Sequence, residues 1–128
     1  MAETVQRLVD RAQSEGLQVF AKIDHAAGAH DVGLELRPTV LVLVGHPRGG
    51  TALMQDQQTA GIDLPAKALV WEDDAGRVWL GYNDPGWISR RHGLSAETAP
   101  RVVGISNGLA DLAAAATSSL SASPGSPA

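Results

Sequence analysis

A short turn between two apolar segments constrains the fold of this chain more than any other feature of its sequence. Residues 67–73 and 77–82 flank Asp74-Ala75-Gly76. That length and composition are typical of a three-residue hairpin loop built on a type I turn, with the glycine in the left-handed backbone conformation. The two segments are therefore predicted to pair as antiparallel strands.

The predicted hairpin has one aromatic and one aliphatic face. Its register places Trp71 opposite Trp79, because side chains alternate between the two faces of a strand. The other face carries side chains suited to helix packing, namely Ala68, Val70, Val78, Leu80 and Tyr82. Two large rings on one face need cover, and aromatic residues are enriched in the cores of subunit interfaces. We therefore expect Trp71 and Trp79 to lie in a homodimer interface, with an apolar ligand or the chain's own loops as the alternative cover.

Apolar periodicity predicts helices and two further strands around this hairpin. The predicted helices are 3–15, 25–32, 52–59, 85–91 and 96–116. A strand with one buried face is predicted over 17–23, and a central strand covered on both faces over 39–44. Asp24, Thr51 and Ser95 are the predicted N-caps of the helices that follow them, because their side-chain oxygens can accept from free amides of the first turn.

The chain has 128 residues, of which 44% are hydrophobic, and this suits one domain with a single core. Residues 1–116 are predicted to form that domain. Residues 117–128 contain too few apolar side chains to fold and are predicted to be a disordered tail. An antiparallel hairpin among several helices makes the expected fold class α+β.

Charge and composition exclude several classes of function. Lys and Arg number 10 and Asp and Glu 14, so the formal net charge of −4 argues against a nucleic-acid partner. The chain has no cysteine, which excludes disulfides, thiolate metal sites and thiol nucleophiles. No signal peptide and no membrane-spanning stretch is visible, so we expect a cytoplasmic protein with no membrane contact and no cofactor.

A series of short motifs runs through the predicted domain in a fixed order. The motifs are Ile23-Asp24-His25-Ala26-Ala27-Gly28-Ala29, residues 33–39, Gly45-x-Pro47-x-x-Gly50-Thr51-x-Leu53-Met54, and residues 61–65, 67–73, 79, 82–85 and 91–94. This series resembles the bacterial and archaeal domain-of-unknown-function family 302. The resemblance implies an α+β fold of the TATA-binding-protein-like class, with a curved antiparallel sheet and helices mainly on one face. It also implies a dimer, and it brings no established activity.

The chain departs from that family pattern at its beginning. The family normally has a strand before the helix that is predicted here over 3–15. The first strand of the family's sheet is therefore expected to be missing, which would leave an unpaired sheet edge.

The segment Gly45-His46-Pro47-Arg48-Gly49-Gly50-Thr51 meets the spacing of a phosphate-binding loop only in part. Thr51 stands where such a loop needs its lysine, so the charge that would neutralise a phosphate is absent. Free amides at the start of the next helix, with Arg48 and His46 nearby, can still bind a small carboxylate or phosphate. The alternative is a tight turn from strand to helix without a ligand.

Asp24, His25 and Asp63 are further candidates. Asp24 and His25 are adjacent, so their side chains diverge at a helix start and cannot pair with each other, although both can face a shared cleft. The alternative is a helix cap, a histidine bonded to backbone and an aspartate that fixes a turn. His25 and His30 are five positions apart, which disfavours a two-histidine metal site on one helix. No metal is predicted, although a site completed by His46 or Asp63 stays open.

Three hypotheses of function follow. The first is a dimeric module that binds a small anionic or apolar ligand in a pocket lined by Asp24-His25, residues 45–51 and Asp63. The second is a small-molecule enzyme with His25 as general base, oriented by a carboxylate such as Asp63, and with turn amides stabilising negative charge. The third is a scaffold that maintains the fold and the dimer and has no site of its own.

Overall fold

The structure, a computed structural model, describes residues 1–118. Four strands form one sheet in the order β1-β2-β3-β4, and every neighbouring pair is antiparallel. The elements are α1 Ala2–Ser14, β1 Gln18–Asp24, α2 His25–Asp31, β2 Thr39–Gly45, α3 Pro47–Asp56, a 3₁₀ helix Gln58–Asp63, β3 Ala66–Glu72, β4 Val78–Tyr82, α4 Pro85–His92, a 3₁₀ turn Ala96–Thr98 and α5 Ala99–Thr117. The predicted α+β class with an antiparallel sheet is confirmed.

Helices α1 and α5 cover one face of the sheet. Their buried side chains pack against alternate residues of β2 and β3, and the core consists of Val5, Leu8, Ala12, Val42, Val44, Ala68, Val70, Leu109, Leu112 and Ala116. Burying one such aliphatic side chain contributes about 1.5–3 kcal/mol. The apolar stripes predicted for the first and last helices are the surfaces that meet here.

The opposite face of the sheet lies away from α1 and α5. Strand β2 was expected to be covered on both faces, and the structure corrects this: Val42 and Val44 are buried, whereas Leu41 and Leu43 point to the other face and are only half-buried. Alternation along the strand separates the two pairs, because successive side chains point to opposite faces.

A β-bulge at Phe20 changes which side chains of β1 face the core. Val19 pairs with Val44 on the core face, but the register shifts before Ala21. Ile23 therefore lies on the opposite face, where it is 41% exposed. The prediction that the alternating apolar residues of this strand share one buried face was wrong, because an extra residue in one strand moves those after it to the other face.

Helix α3 begins earlier than the sequence pattern predicts. Its N-cap is His46, whose Nδ1 accepts a hydrogen bond from the amide of Arg48 at 3.2 Å, and Pro47 occupies the first turn. Proline is preorganised there and has no amide to satisfy. The predicted turn over residues 45–51 is therefore mostly helix, and Thr51 lies inside it rather than at its cap.

Of the other predicted N-caps, one makes the expected side-chain hydrogen bond and one does not. Asp24 accepts a hydrogen bond from a first-turn amide of α2, as predicted, and Asp84 accepts one from a first-turn amide of α4. Ser95 makes no such bond, because a 3₁₀ turn intervenes before α5. The predicted tail begins at Thr117, which is the last residue of α5, and its remainder from residue 119 lies outside the described residues.

Leu112→Ala is expected to lower the free energy of unfolding by about 2–5 kcal/mol, because it removes a buried side chain from the α1–α5 core. Val103→Ala on the same helix is the matched control, since Val103 is 56% exposed, and it should change stability by less than about 0.5 kcal/mol. Urea unfolding of both variants measures the difference. Equal effects would contradict the assignment of the core face of α5.

Candidate functional site

A largely apolar cavity of about 890 Å³ lies between α3, α5 and one end of the sheet. Its volume falls within the range of about 300–1,000 Å³ that is usual for small-molecule sites. Its apolar lining includes Leu17, Phe20, Leu43, Val44, Pro47, Gly49, Gly50, Met54, Leu64, Pro65, Ile105, Leu109 and Leu112.

Two glycines of α5 border open space in this cavity. Gly104 and Gly108 line it, and a Cβ atom added at either position would meet no atom within 4 Å. Glycine inside a helix costs about 0.5–1 kcal/mol relative to alanine, and no close packing accounts for it at these two positions. Gly49 differs, since its added Cβ would lie 3.9 Å from Ile105 Cδ1, where α3 approaches α5.

The mouth of the cavity is cationic. An open cleft of about 460 Å³ adjoins it and is lined by Pro47, Arg48, Thr51, Ala52, Gln55 and Arg101. Pro47, Thr51 and Arg101 line both spaces, and no carboxylate of the described chain lines either. Between residues 1 and 118, neither Arg48 nor Arg101 has an ion-pair partner.

Three of the predicted site residues meet at this mouth. Arg48 and Thr51 line the cleft, Thr51 and His46 line the cavity, and all three lie within the first turns of α3 or at its cap. Arg101 was missed, because only the packing of α5 beside α3 brings it there. The glycines at positions 104 and 108 were a signal in the sequence, since glycine is unfavourable inside a predicted helix.

Asp63 belongs to a different cluster. Its two carboxylate oxygens each accept a hydrogen bond of 3.0 Å from Nη1 of Arg91, and Nε2 of His92 lies 2.5 Å from Oδ2. The hydrogen bond with His92 lowers the pKa of Asp63 below its ordinary value, and the charge of Arg91 adds to this, whereas burial opposes it. The cluster joins the first 3₁₀ helix to the end of α4.

The other ring nitrogen of His92 contacts the hydroxyl group of Thr59. Thr59 Oγ1 lies 3.2 Å from His92 Nδ1, so the imidazole bridges Thr59 and Asp63. The His92 side chain is 7% exposed, whereas Thr59 is exposed to solvent. Arg91, His92 and Thr59 were not among the predicted site residues, because these contacts join segments that are distant along the chain.

Asp24 and His25 lie at the start of α2, apart from both sites. Asp24 Oδ1 accepts a hydrogen bond from the amide of Ala27 at 2.9 Å, and His25 is exposed. Neither residue lines the cavity or the cleft, and the carboxylate of Asp63 is engaged by Arg91 and His92. The structure therefore does not bring the predicted site residues into one pocket.

Trp71 and Trp79 pair directly, as the hairpin register predicts. The Trp71 ring lies over Gly81, where an added Cβ would come within 3.3 Å of the ring. Trp79 remains 47% exposed, its Nε1 donates to Asp73 Oδ2 at 2.9 Å, and the Arg77 guanidinium lies 5.9 Å from its ring centroid. One indole is thus held in place on the sheet face that α1 and α5 leave open.

Two further observations bear on the kind of site. Across residues 1–118, no three His, Asp or Glu side chains are placed to hold a metal ion. In the same part of the chain, no helix combines the length and the apolar content needed to cross a bilayer.

An antiparallel sheet backed by helices, with a cavity beside its last helix, defines the chain as an α+β domain. The model of the family described as Domain of unknown function DUF302 matches residues 1–115, and the chain belongs to this family. A crystal structure of an uncharacterized conserved protein DUF302 from Bacillus stearothermophilus shares the fold. Its TM-score is 0.77 at 21% identity, with 88% of each chain covered.

Curated relatives are longer than this chain. A protein named Fluoride-specific ion channel FluC 1 from Brucella suis is 52% identical over 101 residues, which is 77% of this chain and 40% of the relative. The protein of that name from Brucella abortus is also 52% identical over 101 residues and is covered over 37% of its length. The chain therefore spans about two fifths of the length of these relatives.

The Asp63 cluster makes a prediction about acid stability. A carboxyl group whose folded-state pKa is lowered stabilises the fold above its unfolded pKa, and that stability is lost as the pH falls through the folded pKa. We expect the free energy of unfolding, measured with urea, to fall more between about pH 7 and about pH 3 in the wild-type protein than in Asp63→Asn. The exposed Asp74→Asn is the control and should behave like wild type. An unchanged acid dependence in Asp63→Asn would contradict the role of this ion pair.

Proposed function

We propose that this domain binds a small amphipathic anion, with the apolar part of the ligand in the α3–α5 cavity and its negative group at Arg101. The observation that carries the proposal is the combination of an apolar interior with a mouth whose arginines have no acidic partner among residues 1–118. No catalysis is required for this role.

The apolar interior provides the affinity in this proposal. Apolar surface removed from water contributes about 25 cal/mol per Å², and the aliphatic lining contains few groups that would have to lose hydrogen bonds to water. Gly104 and Gly108 provide the space, at a cost in helix stability that a binding function accounts for.

The positive charge at the mouth indicates that the ligand is negatively charged. The whole chain has a net charge of −4, yet Arg48 and Arg101 flank the mouth and no described acidic side chain lines it. The N-terminus of α3 adds the positive end of a helix dipole. A carboxylate or phosphate group is the natural complement, because guanidinium groups bind such groups through paired hydrogen bonds.

The site also bears on the competing hypotheses. An enzyme with His25 as general base would need a carboxylate to orient it, and Asp63 is engaged elsewhere. This favours a binding module over that enzyme. A scaffold with no site of its own is the remaining alternative, and it predicts no ligand.

A second candidate function comes from the relatives named as fluoride-specific ion channels. We propose that a domain of this family acts as an accessory module of such a channel, since the matched part is two fifths of those proteins. In this case the anion recognised at the cationic cleft would be fluoride.

We further propose that two copies associate through the face that carries Trp71 and Trp79. Support comes from the exposure of Trp79 and from apolar neighbours on the same face, namely Ile23, Leu41, Leu43 and Leu69. A cytoplasmic location remains a prediction.

Decanoate is the probe for the cavity, with decanol, acetate and sodium fluoride as comparisons. Isothermal titration calorimetry should show decanoate binding to the wild-type protein more tightly than decanol and far more tightly than acetate. Arg101→Gln should weaken decanoate binding about tenfold to a hundredfold, since a hydrogen bond to a charged group contributes about 1.5–3 kcal/mol. Decanol binding should not change. Arg90→Gln, an exposed arginine on α4, is the matched control.

Gly108→Leu should abolish decanoate binding while preserving or raising the thermal stability, because a side chain fills the cavity and helix propensity improves. Gly28→Leu on exposed α2 is the control. Absence of binding by both decanoate and decanol would leave the scaffold hypothesis. Binding of fluoride alone would favour the accessory role.

Trp79→Ala should weaken self-association, because truncating a central interface tryptophan costs about 2 kcal/mol or more, a change of about thirtyfold in the dimer dissociation constant. Trp87→Ala is the matched control, since Trp87 is also exposed, at 45%, but lies on α4. Sedimentation equilibrium measures both. A monomeric wild-type protein, or equal association in both variants, would contradict the interface.

A further inference from the structure

The Asp63–His92–Thr59 cluster points to a chemistry that is independent of the cavity. We infer that Thr59 is a nucleophile that takes an acyl group from an activated ester, with His92 as its general base and Asp63 as the residue that positions this base.

The hydrogen-bond geometry assigns these roles. Asp63 Oδ2 lies 2.5 Å from His92 Nε2 and, as a carboxylate, only accepts hydrogen bonds, so Nε2 carries a proton. In the neutral imidazole the other nitrogen, Nδ1, then presents its lone pair. Thr59 Oγ1 lies 3.2 Å from Nδ1, and with this tautomer the hydroxyl is the donor. A hydroxyl, a base and a carboxylate that orients the base form the arrangement by which enzymes activate a hydroxyl nucleophile.

Burial distinguishes this cluster from a purely structural contact. The side chains of His92 and Asp63 are 7% and 11% exposed, so bulk solvent competes little for the hydrogen bond between them. Thr59, in contrast, is exposed, which leaves its oxygen accessible to a substrate. The contact of Asp63 with Arg91 and His92 already joins the two helices, and the Thr59 hydroxyl is not needed for that.

Two cationic side chains act on the carboxylate that positions the base. Arg91 on α4 makes an ion pair with Asp63 at 3.0 Å, and the charge of Lys67 on β3 also acts on this carboxylate. Both groups keep Asp63 ionised, so it remains an acceptor for the Nε2 proton.

The proposed reaction is an acyl transfer in two balanced halves. Thr59 Oγ1 attacks the ester carbonyl carbon, its proton moves to His92 Nδ1, and the bond from carbon to the leaving oxygen breaks. The leaving group takes the proton, which gives an alcohol and acyl-Thr59. Water then attacks the acyl group with the same proton transfers, and the sum is ester plus water to acid plus alcohol.

The test uses p-nitrophenyl acetate with the full chain. Peptide mapping by mass spectrometry should find acetyl on Thr59 and none on Thr51, which is also exposed. Thr59→Ser should keep the label, and Thr59→Ala should lose it. His92→Gln retains a donor for Asp63 but no base, and should slow labelling by about a hundredfold or more. In Asp63→Asn, Thr59 should still be acetylated, but more slowly, and the pH dependence of the acetylation rate should change.

Two results would overturn the inference. One is acetylation confined to lysines or to the amino terminus, and the other is labelling of Thr59 at the same rate in His92→Gln. If His92→Gln fails to fold by circular dichroism, the decision rests on the Thr59 variants and on the pH profile of the wild type. If the rate of Thr59 acetylation in the wild type does not rise with pH as the titration of one group, this would contradict the role of His92 as the base. Loss of decanoate binding would leave this test unaffected, because it concerns different residues.

Discussion

The sheet has two apolar faces, and α1 and α5 cover one of them. Burial of Leu8 and Leu112 against β2 and β3 fixes where both helices lie, and the remaining architecture follows from that contact. The same packing leaves the opposite face, with its paired tryptophans, without cover from these helices. Because α5 also extends toward α3, its glycine-containing part borders the cavity. One helix thus contributes both to the core and to the candidate site.

The two candidate sites use different physical principles. The α3–α5 cavity combines apolar surface with two arginines that have no ion-pair partner in the described part of the chain. This is a favourable setting for an amphipathic anion and a costly one for an empty space. The Asp63 cluster has paired charges and a buried imidazole, and this imidazole contacts the exposed hydroxyl of Thr59. The first arrangement can bind without chemical change, whereas the second can transfer a proton. Either role can be lost without affecting the other.

Local features of the fold were predictable from the sequence. The hairpin register, the Asp24 cap and the stripe of α5 depend on short-range spacing, and the structure confirms them. The start of α3 was not predicted, because a histidine cap followed by proline was interpreted as part of a glycine-rich turn. The bulge at Phe20 was also missed, since alternation continues through it in the sequence.

The sites were only partly predictable, for a different physical reason. His46, Arg48 and Thr51 lie close together along the chain, so one local motif contains them. Arg101 reaches the same mouth only through helix packing, and the partners of Asp63 come from α4. Sequence spacing carries no information about such tertiary contacts. For this reason Asp63 was expected in a pocket that it does not line in the structure.

A crystal structure of the protein grown with decanoate tests the central claim most directly. The account predicts density for the alkyl chain beside Gly104 and Gly108, with the carboxylate at the guanidinium of Arg101. A cavity closed by the protein's own side chains, or occupied by a segment of a second copy, would contradict it.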